Sequence, residues 1–160
     1  MSMSNPRDLF LQLLAELLWL ERTLAFETLP KLEGAAQSQE LAQAFAEHLE
    51  QTRGHAARLE QVFPLVSAET SSSLDPAAQK LFEHHDETAQ TIVDGRLRDV
   101  FHTAAAAKTE HYELAAYDAL IELGRALGVP TEALEANRSE DADALQRVEQ
   151  LGARLGKETV

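Results

Sequence analysis

Residues 109–117 combine side chains that can bind a metal ion with the spacing of a helix. Glu110 and Glu113 lie three residues apart, and Tyr117 follows four residues later, so all three share one side of a helix at 100° per residue. The run around them, residues 97–127, is rich in alanine and otherwise reads as core. Carboxylates on the core side of a helix are costly unless a cation meets them. In an all-helical chain, this pattern favours a metal site held between helices.

The composition is that of a helical protein with its own hydrophobic core. The chain has 160 residues, of which 44% are hydrophobic, with only 7 Gly and 5 Pro, so we expect an all-α fold and a single domain over residues 1–160. The absence of Cys excludes disulfides and thiolate metal ligands. A formal net charge of −13 argues against a nucleic-acid partner. Neither a membrane span nor a signal peptide is recognisable, so we expect a cytoplasmic protein without membrane partners.

Capping residues and helix breakers divide the chain into five predicted helices. The predicted starts lie at Asn5-Pro6, Ser38, Asp75-Pro76, just after Gly95, and at Thr131. The predicted ends lie at Leu29 before Pro30, at Phe63 before Pro64, near Asp94, at Leu127 before Gly128, and near Leu155. The third helix is short and polar. We expect it to form the crossover between two helix hairpins.

Each of the other long helices also carries a candidate ligand on its apolar face. Glu21 lies in the middle of the first stripe, and Asp141 lies near the centre of the last one. The second helix brings His48 and His55 on one face, about two turns apart. Taken singly, each of these residues can be a satisfied polar group at a helix seam. Together they predict one shared site.

Other polar residues are interpreted as surface. The adjacent His84 and His85 point about 100° apart on a helix and cannot share an ordinary site. Glu50 and Arg53 lie on the side of the second helix opposite its apolar face.

Tyr117 can relay an electron, but a core tyrosine with a hydrogen-bonded hydroxyl is the simpler interpretation.

The spacing between the candidate positions suggests two similar helix hairpins. Glu21 precedes Thr52 by 31 residues, and Glu110 precedes Asp141 by the same number. Two such hairpins packed by a pseudo-twofold axis would bring the acids to one level. This is the layout of carboxylate-bridged two-metal bundles, in which anionic oxygens neutralise two neighbouring cations and histidine completes the coordination.

At these residues the chain resembles the YciE/YciF family of ferritin-like bacterial proteins. The segments that carry the resemblance are Leu20-Glu21-Arg22, His48-Leu49-Glu50-Gln51-Thr52-Arg53-Gly54, Leu59-Glu60-Gln61-Val62-Phe63, and Glu110-His111-Tyr112-Glu113 followed by Tyr117. The resemblance covers nearly the whole chain. It implies a ferritin-like four-helix bundle with a short extra helix in the crossover, a homodimer, a stress-associated role and no settled activity. It supports Glu21, Glu110, Glu113 and a carboxylate at Asp141 as ligands.

The chain departs from better understood ferritin-like enzymes, which carry Glu-x-x-His on the second and last helices. Here the matching pairs are Thr52-x-x-His55 and Asp141-x-x-Ala144, so one Glu is replaced by Thr and one His by Ala. A site that lacks two ligands would hold one ion, hold metal loosely or hold none. His48, one turn before Thr52, is a candidate replacement ligand.

Two functions from different classes follow. The first is a metal-binding protein with one or two iron or manganese ions that acts on a small oxidant such as peroxide. Its ligands would be Glu21, His48, His55, Glu110, Glu113 and Asp141. The second is a non-catalytic structural or interaction protein of the stress response, with a degenerate site and no metal. An iron-storage shell is less favoured, because the family that the chain resembles forms dimers.

Overall fold

The computed structural model describes residues 3–160, which form helices and connecting loops without any β-strand. The helices are α1 Pro6–Thr23, a π-helical turn Leu24–Thr28, α2 Leu29–Ala35, α3 Gln39–Leu65, α4 Pro76–Thr91, α5 Gly95–Leu127 and α6 Glu132–Thr159. The predicted all-α fold class is confirmed.

Local capping chemistry fixes most of the helix ends. The side chain of Asn5 accepts a hydrogen bond from the Asp8 amide at 2.9 Å, directly before Pro6 at the first helical position. The carboxylate of Asp75 caps α4 in the same way. At the end of α5, Gly128 adopts a left-handed backbone with φ of 70°, which glycine tolerates without a Cβ clash. These ends agree with the predicted ones to within a few residues.

The prediction that Pro30 ends the first helix is wrong. The helix widens into the π-helical turn just before the proline, and the amide of Leu29 bonds to the carbonyl of Leu24, five residues back. Proline lacks an amide hydrogen, and its ring displaces the carbonyl four residues earlier. The wider turn accommodates this defect, so α2 continues to Ala35. Pro64 likewise lies inside α3, within its last turn.

Four long segments pack as a bundle of two hairpins. Helices α1 and α3 form one hairpin and α5 and α6 the other, while α1 also contacts α5 and α3 contacts α6. The α5–α6 contact is close, because a Cβ at Gly152 would lie 2.6 Å from Thr103 Oγ1. Helix α4 packs on α5, in the crossover where a short helix was predicted. The interior of the bundle is therefore lined by all four long segments.

None of the helices in residues 3–160 combines the length and the apolar character that crossing a bilayer requires.

Candidate metal centre

Six acidic and histidine side chains meet inside the bundle, and we call them the central cluster. They are Glu21, His48, His55, Glu110, Glu113 and Asp141, and every one of them is buried. Their ligand atoms fall into two groups, within each of which all atoms lie within 4.8 Å of one another. The first ligand group consists of Glu21, His55 and Asp141, and the second consists of His48, Glu110, Glu113 and Asp141. Asp141 belongs to both.

In the first ligand group, His55 presents one ring nitrogen to two carboxylates. Its Nδ1 lies 3.4 Å from Glu21 Oε1 and 3.3 Å from Asp141 Oδ1, without an aligned hydrogen bond to either. Its Nε2 lies 2.8 Å from Glu140 Oε2. We assign the ring proton to Nε2, because this carboxylate can only accept. The Nδ1 lone pair then faces two anionic oxygens, an arrangement that a cation between them would stabilise.

The second ligand group repeats this arrangement. His48 Nδ1 lies 3.3 Å from Gln51 Oε1, which leaves Nε2 directed at Glu110 Oε1 at 2.9 Å. That contact lacks the geometry of a hydrogen bond, so His48 Nε2 has no hydrogen-bond partner. Both oxygens of Glu113 are also buried without a hydrogen-bond partner. Each histidine is thus held from outside the cluster by an oxygen acceptor, with its other nitrogen turned inward.

A hydrogen-bonded network positions the first ligand group. The hydroxyl of Tyr117 donates to Glu21, and Asn137 Nδ2 donates to that hydroxyl at 2.9 Å. Arg58 bridges Asn137 Oδ1 at 2.6 Å and Glu140 Oε1 at 2.8 Å. The network therefore connects Glu21 to the same Glu140 that orients His55.

The electrostatics of the central cluster favour added positive charge. Burial, followed by the neighbouring Glu21, Glu110 and Glu140, raises the pKa of Asp141 to about 10. Burial and then Asp141 raise the pKa of Glu113 well above its usual range. Burial lowers the pKa of His48, but the contacts with Glu110 and Gln51 and the charge of Glu21 together outweigh it and raise the pKa to about 9. Without a cation, protons must neutralise part of this cluster.

The two substituted ligand positions differ in what they offer. The hydroxyl of Thr52 donates to the carbonyl of His48 at 2.8 Å, so it is satisfied within its own helix. Ala144 offers no ligand atom and lines a pocket beside His48 and Glu110.

Sequence reasoning missed the residues that hold the ligands in place. The sequence pattern assigns no role to Arg58, Gln51 or Glu140. The side chain of Glu140 is 31% exposed and reaches inward to His55. The only signal was Asn137, an amide in the middle of an apolar stripe.

The prediction that His85 lies on the surface is wrong, although His84 is exposed. His85 Nε2 lies 2.9 Å from His102 Nδ1, across the α4–α5 contact, and we call these two residues the histidine pair. The ring of Phe101 packs against His85 with its centroid 5.4 Å away. Burial and the neighbouring His102 lower the pKa of His85 to about 4. Nothing in the sequence indicated this contact, because the spacing of His84 and His85 carries no information about His102 on another helix.

Comparisons with known proteins agree with this architecture. A family model described as "Domain of unknown function (DUF892)" matches residues 5–160. The chain is 35% identical over 132 residues to Protein YciF of Escherichia coli (strain K12), which covers 80% of this chain and 77% of that protein. The crystal structure of the E. coli stress protein YciF superposes with a TM-score of 0.90 at 30% identity, covering 97% of this chain and 99% of that one. YcfI of Rhodopseudomonas palustris, described as a candidate structural protein, gives a TM-score of 0.90 at 31% identity, covering 92% and 95%.

Proposed function

The chain belongs to the DUF892 family, and from this premise we propose that its central cluster binds one or two iron or manganese ions within a ferritin-like bundle. The resemblance to YciF proteins, first indicated by sequence motifs, is confirmed by the comparisons. The family description names no activity. The proposal therefore depends on the geometry of the cluster.

One observation carries the proposal. Every residue of the central cluster has at least one buried oxygen or nitrogen without a hydrogen-bond partner. A buried polar group left unpaired typically costs about 1–3 kcal/mol, and more if it is charged. Divalent cations bonded in the two ligand groups would remove that cost at all six residues.

The donor set fits such an ion. Carboxylate oxygens suit Mn²⁺ and related hard cations, and imidazole suits iron, so a mixed set of both is typical of iron or manganese sites. Ligand atoms bonded to one ion at about 2.0–2.4 Å lie no more than about 4–5 Å from one another. The 4.8 Å spread of each ligand group meets this limit. Asp141, common to both groups, would contribute a ligand atom to an ion in either one.

The proposed activity is redox chemistry on a small oxidant such as peroxide. Bound iron or manganese would supply electron exchange with the oxidant. The residues of the chain orient the ligands, through Glu140 at His55 and Gln51 at His48. Leu17 on α1 and Leu59 on α3 are buried in the hydrophobic core of the same bundle, which limits the access of bulk water.

A second candidate is a non-catalytic structural protein of the stress response, with a degenerate metal site. It is favoured by the satisfied hydroxyl of Thr52 and by the absence of a ligand at Ala144. The raised pKa values of Asp141 and Glu113 mean that shared protons can neutralise the cluster instead of metal.

Metal analysis combined with a peroxide-consumption assay separates the two candidates. Protein purified without chelator and loaded anaerobically with Fe²⁺ or Mn²⁺ should hold about one or two ions per chain and consume peroxide. Glu113→Gln should lose both properties, whereas Glu122→Gln, an exposed position on the same helix, should keep them. No retained metal in the wild-type protein would favour the second candidate. Retained metal with equal peroxide consumption in all three proteins would remove the catalytic assignment.

We also propose that the protein is a homodimer, as the resemblance implied. Sedimentation equilibrium should give twice the chain mass of 17.6 kDa, and a monomer at all concentrations would contradict this part.

A further inference from the structure

A pocket of about 170 Å³ opens between α3, α5 and α6 beside the second ligand group. Most of its wall is apolar, formed by Leu29, Ala44, Phe45, Ala106, Ala144 and Val148. An engineered cavity of about 150 Å³ is large enough to hold benzene. The pocket is therefore far larger than a peroxide molecule requires, and it has room for a compact organic molecule.

The two ends of the pocket differ in chemistry. The buried end is formed by His48 and Glu110, whose side chains are 9% and 6% exposed. Glu110 Oε2 and His48 Nε2 both lack a hydrogen-bond partner. The outer rim is formed by Glu47 and Arg147, which pair with each other on the surface. Glu110 lines the buried end of the pocket, and a carboxylate at the end of an apolar channel is suited to a ligand that donates one hydrogen bond.

Ala144 explains why there is space at this position. It stands one turn after Asp141, where the related Glu-x-x-His motif would place a histidine, and it lines the pocket instead of filling it. A histidine ring pointing from this position would occupy much of the same volume. The substitution that removes a candidate metal ligand thus leaves room for another molecule next to the cluster.

We propose that this pocket binds a small neutral alcohol or phenol, with the ring or alkyl body against the apolar wall and the hydroxyl donating to Glu110. Three carboxylates line the pocket, from Glu47, Glu110 and Asp143, against two basic side chains, Arg147 and His48. The excess of negative charge disfavours a carboxylate ligand. A plain hydrocarbon would offer no hydrogen bond to the carboxylate of Glu110. The proposal goes beyond metal binding, because the metal-free protein already has the pocket and the acceptor.

Phenol, benzene and benzoate are matched probes for calorimetric titration of the metal-free protein. Phenol should bind with a Kd on the order of 1 mM or tighter, as expected for a ligand of about seven heavy atoms. Benzene and benzoate should each bind at least about tenfold more weakly. A titration without saturable phenol binding up to about 10 mM would overturn the proposal. Binding of benzene or benzoate as tight as that of phenol would also overturn it.

Variants then test whether the pocket is the place of binding. Ala144→Met fills the pocket from α6 and should weaken phenol binding at least about tenfold. Ala106→Leu fills the pocket from α5 and should weaken phenol binding in the same way. It replaces the first variant in the test if Ala144→Met does not fold. Ala136→Met, an exposed position on α6, should bind phenol as the wild-type protein does. Unchanged phenol binding in a folded pocket-filling variant would place the ligand elsewhere. Metal content, measured separately, distinguishes a failure here from a failure of the proposed metal site.

Discussion

The central cluster and the histidine pair both bury imidazole rings, but their surroundings push the ionisation of these rings in opposite directions. In the cluster, burial lowers the pKa of His48, but Glu110 together with Gln51 and Glu21 raises it to about 9. At the α4–α5 contact, burial and a second imidazole lower the pKa of His85 to about 4. The comparison shows that burial alone does not decide the charge of a histidine. Carboxylates around the ring favour positive charge in the central cluster, whereas burial and a second imidazole disfavour it at the histidine pair.

The largest expected effect is on metal binding. Asp141→Asn should weaken the affinity for Mn²⁺ or Fe²⁺ at least about 1,000-fold, because it removes the anionic ligand common to both groups. His102→Gln alters the histidine pair and should change the affinity less than about threefold. Both affinities can be measured by competition with a metal-binding dye. Equal losses in the two variants would mean that the variants act through general destabilisation.

The second effect is the pH dependence of stability in the metal-free cluster. Burial and the surrounding carboxylates raise the pKa of Asp141 from its ordinary value of 3.8 to about 10. Its contribution to stability is therefore full below about pH 4 and is lost as the pH rises toward 10. The metal-free protein should therefore lose about 5 kcal/mol of unfolding free energy between pH 5 and pH 9 relative to Asp141→Asn. Urea unfolding at both pH values measures this difference. A constant difference would show that Asp141 titrates normally.

The histidine pair should show the opposite sign. The pKa of His85 is lowered from 6.5 to about 4, so its contribution is full above about pH 6.5 and is lost as the pH falls toward 4. Relative to His85→Gln, the wild-type protein should lose about 2 kcal/mol of unfolding free energy between pH 7 and pH 4.5. The same unfolding experiment tests this prediction. A wild-type advantage that stays equal at both pH values would contradict it.

The smallest effect concerns the residue that orients His55. Glu140 accepts from His55 Nε2 at 2.8 Å, and Glu140→Gln should weaken metal affinity about tenfold, in the range typical of groups that hold a metal-binding histidine. Glu149→Gln, an exposed change on the same helix, is the matched control. An unchanged affinity in Glu140→Gln would mean that metal binding does not depend on the orientation of His55.

The sequence predicted the fold well because its helix signals are local. Asn5, Asp75 and Gly128 act on the backbone within a few residues of their own position. The predicted helix end before Pro30 was wrong, because a proline ends a helix only if the preceding turn cannot widen. That depends on how the widened turn packs against α3, a contact between segments that the sequence does not display.

For the candidate site, helix periodicity identified residues that face the interior but not the groups that hold them. Glu21 and Asp141 each lie in the middle of an apolar stripe, and both are completely buried. Glu140 was missed, because its side chain leaves an exposed face and bends inward to His55. His85 was missed, because its partner lies 17 residues away on another helix. Metal binding by the six residues itself stays a prediction.

Anomalous diffraction from crystals loaded with Mn²⁺ or Fe²⁺ tests the central claim most directly. The account predicts peaks about 2.0–2.4 Å from the oxygen and nitrogen ligands, one in each ligand group, with Asp141 between them. A single peak in either group would still place metal in the cluster. Ordered carboxyl groups without any anomalous peak, in crystals soaked at millimolar metal, would contradict the account.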